Sequence, residues 1–179
     1  MGFVILGQNP RKESTRMTTR ITAGAFLVSG NNVLLIKRGL HKKLAPGLWA
    51  GVGGHMELNE IIDPRALNLM ETCYREVQEE TGITKSDIKN LKLRYIVIRK
   101  LGTDIRFHHF FMGEVKTKMP LPECEEGELH WVDMNDVCDL HMSESVKPVV
   151  KHWAANLDSD EIFMIAINKT CDKATISTL

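Results

Sequence analysis

The segment Arg75-Glu76-Val77-Gln78-Glu79-Glu80-Thr81-Gly82-Ile83 decides how the 179-residue chain is read. Each residue of a helix advances by about 100°. Glu76, Glu79 and Glu80 stand at i, i+3 and i+4, so they share one face. Leu69, Cys73 and Val77, spaced by four, form a separate apolar face. Gly82 is placed to end the helix in a left-handed conformation. Three carboxylates on one face repel one another unless a cation sits among them. Hard divalent cations such as Mg2+ or Mn2+ take oxygen ligands and often share them with phosphates. A solvated acidic stripe is the alternative for a face of this kind taken alone. Arg75 weighs against it, because a guanidinium can hold a carboxylate with two parallel hydrogen bonds. So does Gly53-Gly54-His55-Met56-Glu57-Leu58-Asn59-Glu60 upstream, where paired glycines let the backbone approach a ligand closely.

Outward from this helix the chain reads mostly as strands. Ile21–Val28 and Val33–Lys37 flank Ser29-Gly30-Asn31-Asn32, a hairpin signal. Residues 39–48 form a basic loop ending in Pro46-Gly47. Leu48–Met56 is a short strand interrupted by Gly51, Gly53 and Gly54. Leu91–Lys100, Ile105–Val115, Leu129–Val132 and Glu161–Asn168 read as further strands. Lys116–Glu128 reads as a loop. Ser143–Asn156 reads as a second helix with Ser143 as N-cap and Pro148 as a kink. This order predicts an α+β fold, a mixed β-sheet flanked by helices. Residues 1–19 read as an N-terminal arm, with one extra strand at Phe3–Leu6, and 20–179 as a single domain.

Gly54 and Glu60, followed by Arg75-Glu76-Val77-x-Glu79-Glu80-x-Gly82-Ile83, resemble the Nudix box of the Nudix hydrolases. The resemblance extends to Ile21–Arg38, Pro46–Gly54 and Glu126–Val132, covering roughly residues 20–155. It implies the family's α/β/α sandwich. One departure is plain. The family normally places seven residues between the first box Glu and the Arg, whereas fourteen stand here between Glu60 and Arg75, Ile61 to Tyr74. Two readings compete. Asp63-Pro64 could open a helix lengthened by about two turns, which would carry Glu60 about 10 Å from its usual place. Asn68-x-x-Glu71 could instead be a capping box starting a helix of normal length, with 61–67 bulging out. The second is preferred.

The resemblance assigns roles residue by residue. Glu79 and Glu80 match the family's metal-binding pair, and Glu76 is a metal ligand or general base. The Gly53 carbonyl is a further metal ligand, while Glu60 orients Arg75 or joins the metal network. Gly54 and Gly82 are supporting positions. Arg75 belongs with Glu76 and Glu126 in the catalytic set. Glu126 is the preferred loop glutamate, with Glu125 as its alternative and solubility as the plainer reading of both. The implied substrate is a nucleoside diphosphate linked to some group X, cleaved at the diphosphate linkage with Mg2+ (or Mn2+) as cofactor. Residues 45–57 are similar to members acting on 8-oxo-dGTP and related nucleotides. Arg38, Lys42 and Lys43 flank the expected mouth of the site and could hold phosphates, although ordinary surface solvation is the favoured reading of such residues. His108 and His109 are adjacent on a strand and face opposite ways, which disfavours a shared metal. Trp49, Trp131 and Trp153 read as core or rim.

Composition narrows the alternatives. Lys plus Arg and Asp plus Glu are both 23, so formal net charge is zero, which argues against a dedicated nucleic-acid or membrane-surface binder. The sum conceals a separation. Residues 54–80 hold seven acids and two bases, and the remainder carries the compensating basic excess. No apolar run approaches a membrane span. The first basic residues, Arg11 and Lys12, follow the apolar patch rather than precede it, unlike a signal peptide. A cytoplasmic protein is expected. Cys73, Cys124, Cys138 and Cys171 lack metal or disulfide spacing. Rival readings are an isopentenyl-diphosphate isomerase on the same fold, an ADP-sugar or dinucleotide pyrophosphatase, and a non-catalytic nucleotide sensor. The intact Arg-Glu-x-x-Glu-Glu set disfavours the first and last. A homodimer is an open expectation, with the arm supplying a swapped strand.

Overall fold

The computed structural model describes residues 17–57, 60, 68–168 and 173–179. Phe3–Leu6, most of the 1–19 arm and the 61–67 insertion lie outside these residues, as does Cys171. The strands are β1 (Thr18–Ser29), β2 (Asn32–Arg38), β3 (Trp49–Ala50), β4 (Val52–His55), β5 (Ile88–Leu101), β6 (Asp104–Val115), β7 (Gly127–Asp133), β8 (Phe163–Asn168) and β9 (Lys173–Thr178). The helices are α1 (Leu69–Thr81) and α2 (Lys147–Ala154), with a short 3-10 turn at Val137–Asp139.

The sheet runs β3-β2-β1-β6-β5-β8-β9, with β4 paired to β1 and β7 to β2. Pairs β1/β6 and β5/β8 are parallel and the others antiparallel, so the sheet is mixed as expected. Alternation along β1 sorts the core into two layers. Ala23, Ala25 and Leu27 pack with Cys73 and Val77 of α1. Phe26 packs on the opposite face with Val149, Val150 and Trp153 of α2. The helices thus cover opposite faces, giving the α+β sandwich.

Several boundaries differ from the sequence reading, each for a local reason. β1 begins at Thr18, because Thr18 and Thr19 pair with Asp104 and Ile105; these two residues belong to the sheet rather than to an arm. The strand read at 48–56 divides into β3 and β4. α2 is shorter than expected and Ser143 is not its N-cap. The Ser143 carbonyl accepts from the amides of Val146 and Lys147 (3.0 and 2.9 Å), making a separate turn. Pro148 then falls in the first turn of α2, where its missing N–H is not needed, and it does not kink the helix. β9 was not anticipated: its exposed, mostly polar edge lacks an apolar signal.

Candidate active site

α1 is placed by its ends and its apolar face. Asn68 caps the N-terminus, its side chain accepting from the Glu71 amide at 3.4 Å. The helix therefore starts where the second reading of the insertion put it. The Glu71 carboxylate pairs with Lys85, and among the described residues no bond from the Asn68 amide to Glu71 is found to complete a reciprocal capping box. Gly82 ends the helix at φ 73°, its N–H donating to the Gln78 carbonyl. Cys73 and Val77 are fully buried, so the glutamate face turns toward β4. Burial also pushes the Cys73 thiol up to about 12, leaving it protonated and unreactive.

Arg75 organises the cluster. Its Nε donates to Glu60 Oε1 (2.8 Å), Nη1 to Glu79 Oε2 (2.9 Å), and Nη2 to Glu76 Oε1 (2.9 Å) and the His55 carbonyl (3.0 Å). Glu60 reaches Arg75 despite the insertion. Its Oε2 also accepts from the Glu57 amide (2.8 Å) and Thr72 Oγ1 (3.0 Å). The Arg75 hydrogen bond holds the Glu60 carboxyl below its ordinary value. Thr72 and His55 are structural partners that the sequence reading missed. Thr72 lies three residues before Arg75 on the same helix, a spacing that could have flagged it.

Glu76 and Glu80 are the desolvated acids. The Glu76 carboxylate lies against Gly54 so closely that a Cβ there would collide with it. Burial raises its pKa while Arg75 opposes the rise. Glu80 is only 9% exposed. Its Oε2 accepts from the Gly53 amide at 3.1 Å. Burial pushes it up to about 7, with the Gly53 N–H pulling the other way. Gly53 stands at φ 150°, in close contact with the β1 backbone, a position closed to other residues. Glu79, by contrast, has a side chain 58% exposed.

A second group of expected residues meets across two loops. Lys42 Nζ donates to Glu126 Oε1 at 2.5 Å, and Arg38 Nη2 lies 3.5 Å from Glu126 Oε2. The Gly39 amide donates to the Glu126 carbonyl (2.9 Å). The Glu126 and Arg38 charges both act on Glu80, which sets this loop pair beside the helix cluster. Lys43 is exposed and joins neither group. His108 and His109 occupy opposite faces of β6, bonded respectively to Thr22 Oγ1 (2.8 Å) and the Thr22 carbonyl (3.2 Å). Trp153 is in the core, while Trp49 and Trp131 are half-buried. A cavity of about 450 Å3 lined by Arg94, Met112 and Trp153 shares no residue with the carboxylate cluster.

Among the described residues, no group of three or more His, Cys, Asp or Glu side chains is arranged to hold a metal ion as it stands. Arg75 occupies oxygens of Glu76 and Glu79. The donor chemistry nevertheless suits a hard cation. A buried carboxylate with one amide partner, beside a second half-buried carboxylate, is an oxygen site short of positive charge.

A two-helix mixed sheet that presents such a helix beside a glycine turn is the architecture of a phosphoanhydride hydrolase. A family model described as the NUDIX domain matches residues 18–154, and the chain belongs to the Nudix family. It is 32% identical over 127 residues to an uncharacterised Nudix hydrolase of Bacillus subtilis, YvcI, covering 69% of this chain and 72% of that protein. It is 27% identical over 141 residues to a Mycobacterium tuberculosis protein that carries the name MutT4, covering 73% of this chain but only 53% of that one. The crystal structure of a MutT protein from Bacillus halodurans superposes with a TM-score of 0.61 at 24% identity, covering 89% of this chain and 97% of that chain. The protein is thus a Nudix hydrolase, an enzyme class acting on the diphosphate linkage of nucleoside diphosphate derivatives. Such enzymes generally use divalent cations. No helix among the described residues is long and apolar enough to cross a membrane.

Proposed function

We propose that the enzyme uses Mg2+ (or Mn2+) held by Glu76, Glu79, Glu80 and the Gly53 carbonyl to split a nucleoside diphosphate linked to X by water. The observation that carries this reading is Glu80, a carboxylate buried against the Gly53 amide, which is its one hydrogen-bond partner among the described residues. When bound, the cation supplies charge neutralisation for the diphosphate oxygens. The chain's own groups do the rest. Arg75, fixed by Glu60 and the His55 carbonyl, sets the positions of Glu76 and Glu79. Glu76, with its raised pKa, is suited to accept the proton of the attacking water. Glu126 is the alternative base, and its pairing with Lys42 and Arg38 must loosen for that role. The water oxygen bonds to one phosphorus and the bridging P–O bond breaks. The proton taken by the carboxylate can return to the departing phosphate.

Lys42 and Arg38 are placed to receive a phosphate in exchange for Glu126. X is a phosphate in a nucleoside triphosphate such as 8-oxo-dGTP, and a sugar or second nucleotide in the other class of substrate. A nucleotide panel with Mg2+ or Mn2+ and identification of products distinguishes them. Nucleoside monophosphate with pyrophosphate marks a triphosphate substrate, and two phosphorylated halves mark the other class. Glu79→Gln is expected to abolish turnover while leaving the thermal melt unchanged. A folded Glu79→Gln protein with full cation-dependent activity overturns the assignment.

A further inference from the structure

We infer that the sheet face opposite α1 binds a phosphate group of the substrate that is remote from the cleaved diphosphate, in a cradle formed by Arg20, Arg99 and Arg106. The inference rests on the hydrolase reading above and names a substrate class within it.

The register of three neighbouring strands carries the argument. Arg20 of β1 pairs with Arg106 of β6, and Arg106 with Arg99 of β5. Residues directly paired across strands share a face, so the three guanidinia form one row. It is the face on which Phe26 and Tyr95 lie, because successive residues alternate and the opposite face is the one packed by α1. α2 covers the Phe26 end of that face through Trp153.

The row lies in line with the candidate active site. Two residues along β1, Thr22 pairs with His55 and His108. Two further, Gly24 pairs with Gly53, whose amide holds Glu80. Four residues of strand set the arginine row about 13 Å from the Gly53 turn. An arginine side chain reaching back along the strand covers part of this span, and a second phosphate carried on a ribose beyond the cleaved diphosphate covers the remainder.

Like charges paired across strands destabilise a sheet, so a triple row of arginines calls for anions. The described residues supply fewer than the row requires. Asp104 meets Arg106 Nε at 2.8 Å and Arg20 Nε at 3.4 Å, and Glu144 meets Arg99 Nη2. Two carboxylates thus face three guanidinia, and Glu144 is 63% exposed. Arg99 Nε is buried with no hydrogen-bond partner among the described residues. The uncompensated field reaches the neighbouring imidazoles. His108 is pushed down to about 4 by burial, with Arg106 and Arg99 adding to the effect. A phosphate offers several acceptor oxygens to such forked donors.

Two matched pairs of compounds test the inference: NADPH against NADH, and coenzyme A against dephospho-coenzyme A. Each member contains a diphosphate linkage, and each pair differs by one ribose phosphate, at the 2′ or the 3′ position. With Mg2+ or Mn2+ present, kcat/KM is expected to favour the phosphorylated member of at least one pair by about tenfold or more. In Arg106→Gln that ratio is expected to fall about tenfold, through KM. Arg99→Gln, whose exposed partner Glu144 stays solvated, gives the same readout if Arg106→Gln fails to fold. Equal activity on both members of both pairs overturns the inference, as does a preference that survives both substitutions. Hydrolysis of nucleoside triphosphates but of none of the four compounds overturns it while leaving the hydrolase reading intact. Hydrolysis of nothing in the wider nucleotide panel overturns both.

Discussion

Glu79 and Glu80 are neighbours in sequence but opposites in environment, one largely in water and the other 9% exposed. Consecutive helical residues differ by about 100°, so only one can turn into the β4 backbone. Which one turns depends on how α1 sits on the sheet, and the motif alone does not encode that. The pairing of Glu60 with Arg75 was one of the two roles the resemblance implied, but spacing alone does not reveal it, because fourteen residues stand between them. Their presence as a carboxylate set was legible, since the spacing is a property of the helix itself. The environment has a thermodynamic consequence. Glu80 titrates near 7 in the folded protein against 4.5 in a solvated chain. Between those values the native state binds more protons than the unfolded state, so metal-free stability falls as pH rises through that window. Without divalent cation, melting temperature is expected to decline from about pH 5 to about pH 8. Glu80→Gln should flatten the decline and raise the melt at the upper end, while abolishing turnover. A steeper decline in Glu80→Gln than in wild type would refute a buried, protonatable Glu80.

Among the elements, α1 was read most accurately because both its boundaries are set by local chemistry. Asn68 supplies a side-chain acceptor at one end and Gly82 a left-handed turn at the other. α2 was read less well. Ser143 has the composition of a cap, yet the Ser143–Val146 turn is closed by backbone bonds before the helix begins. β9 was missed because an exposed edge strand needs no apolar alternation and is held by its ladder to β8. The caps of α1 make a prediction at this scale. Asn68→Ala is expected to cost about 1 kcal/mol, lowering the melting temperature by roughly 2–4 °C for a chain of this size. Gly82→Ala meets no atom within 4 Å but must hold φ 73°, so it should cost about 1–2 kcal/mol through backbone strain alone. Both variants should retain wild-type kcat where they are folded, since neither side chain faces the carboxylate cluster. Calorimetric melts and activity below the transition separate the two effects. A kcat loss in fully folded Gly82→Ala would mean that the end of α1 positions Glu79 and Glu80 more tightly than packing of Cys73 and Val77 alone requires.

For the molecule as a whole, the balanced total of 23 acids and 23 bases describes two regions of opposite sign. The described residues of the acidic segment are the end of β4 and the stretch to Glu57, Glu60, and Asn68 with α1. Basic residues from distant parts of the chain, Arg38 and Lys42 on one side and Arg20, Arg99 and Arg106 on the other, are gathered beside it by the sheet. The sequence shows the first half of this arrangement because it is contiguous. It conceals the second because parallel pairing of β1 with β6 joins residues more than 80 positions apart, and no local pattern announces the register. The consequence is an acidic centre that repels a bare polyphosphate, so cation and substrate should bind interdependently. Divalent cation alone should already stabilise the fold, because it binds native carboxylates that the unfolded chain does not assemble. At a concentration of about 100 times its Kd the gain is roughly 2.7 kcal/mol, or roughly 5–10 °C in melting temperature. Chelation should reverse the shift, and monovalent salt at equal ionic strength should not reproduce it, since screening lacks the site's geometry. In Glu80→Gln the shift should shrink to a small fraction of the wild-type value, because the best-desolvated negative charge is gone. An undiminished Mg2+ or Mn2+ shift in that variant would place the cation elsewhere on the acidic surface and remove Glu80 from the metal set.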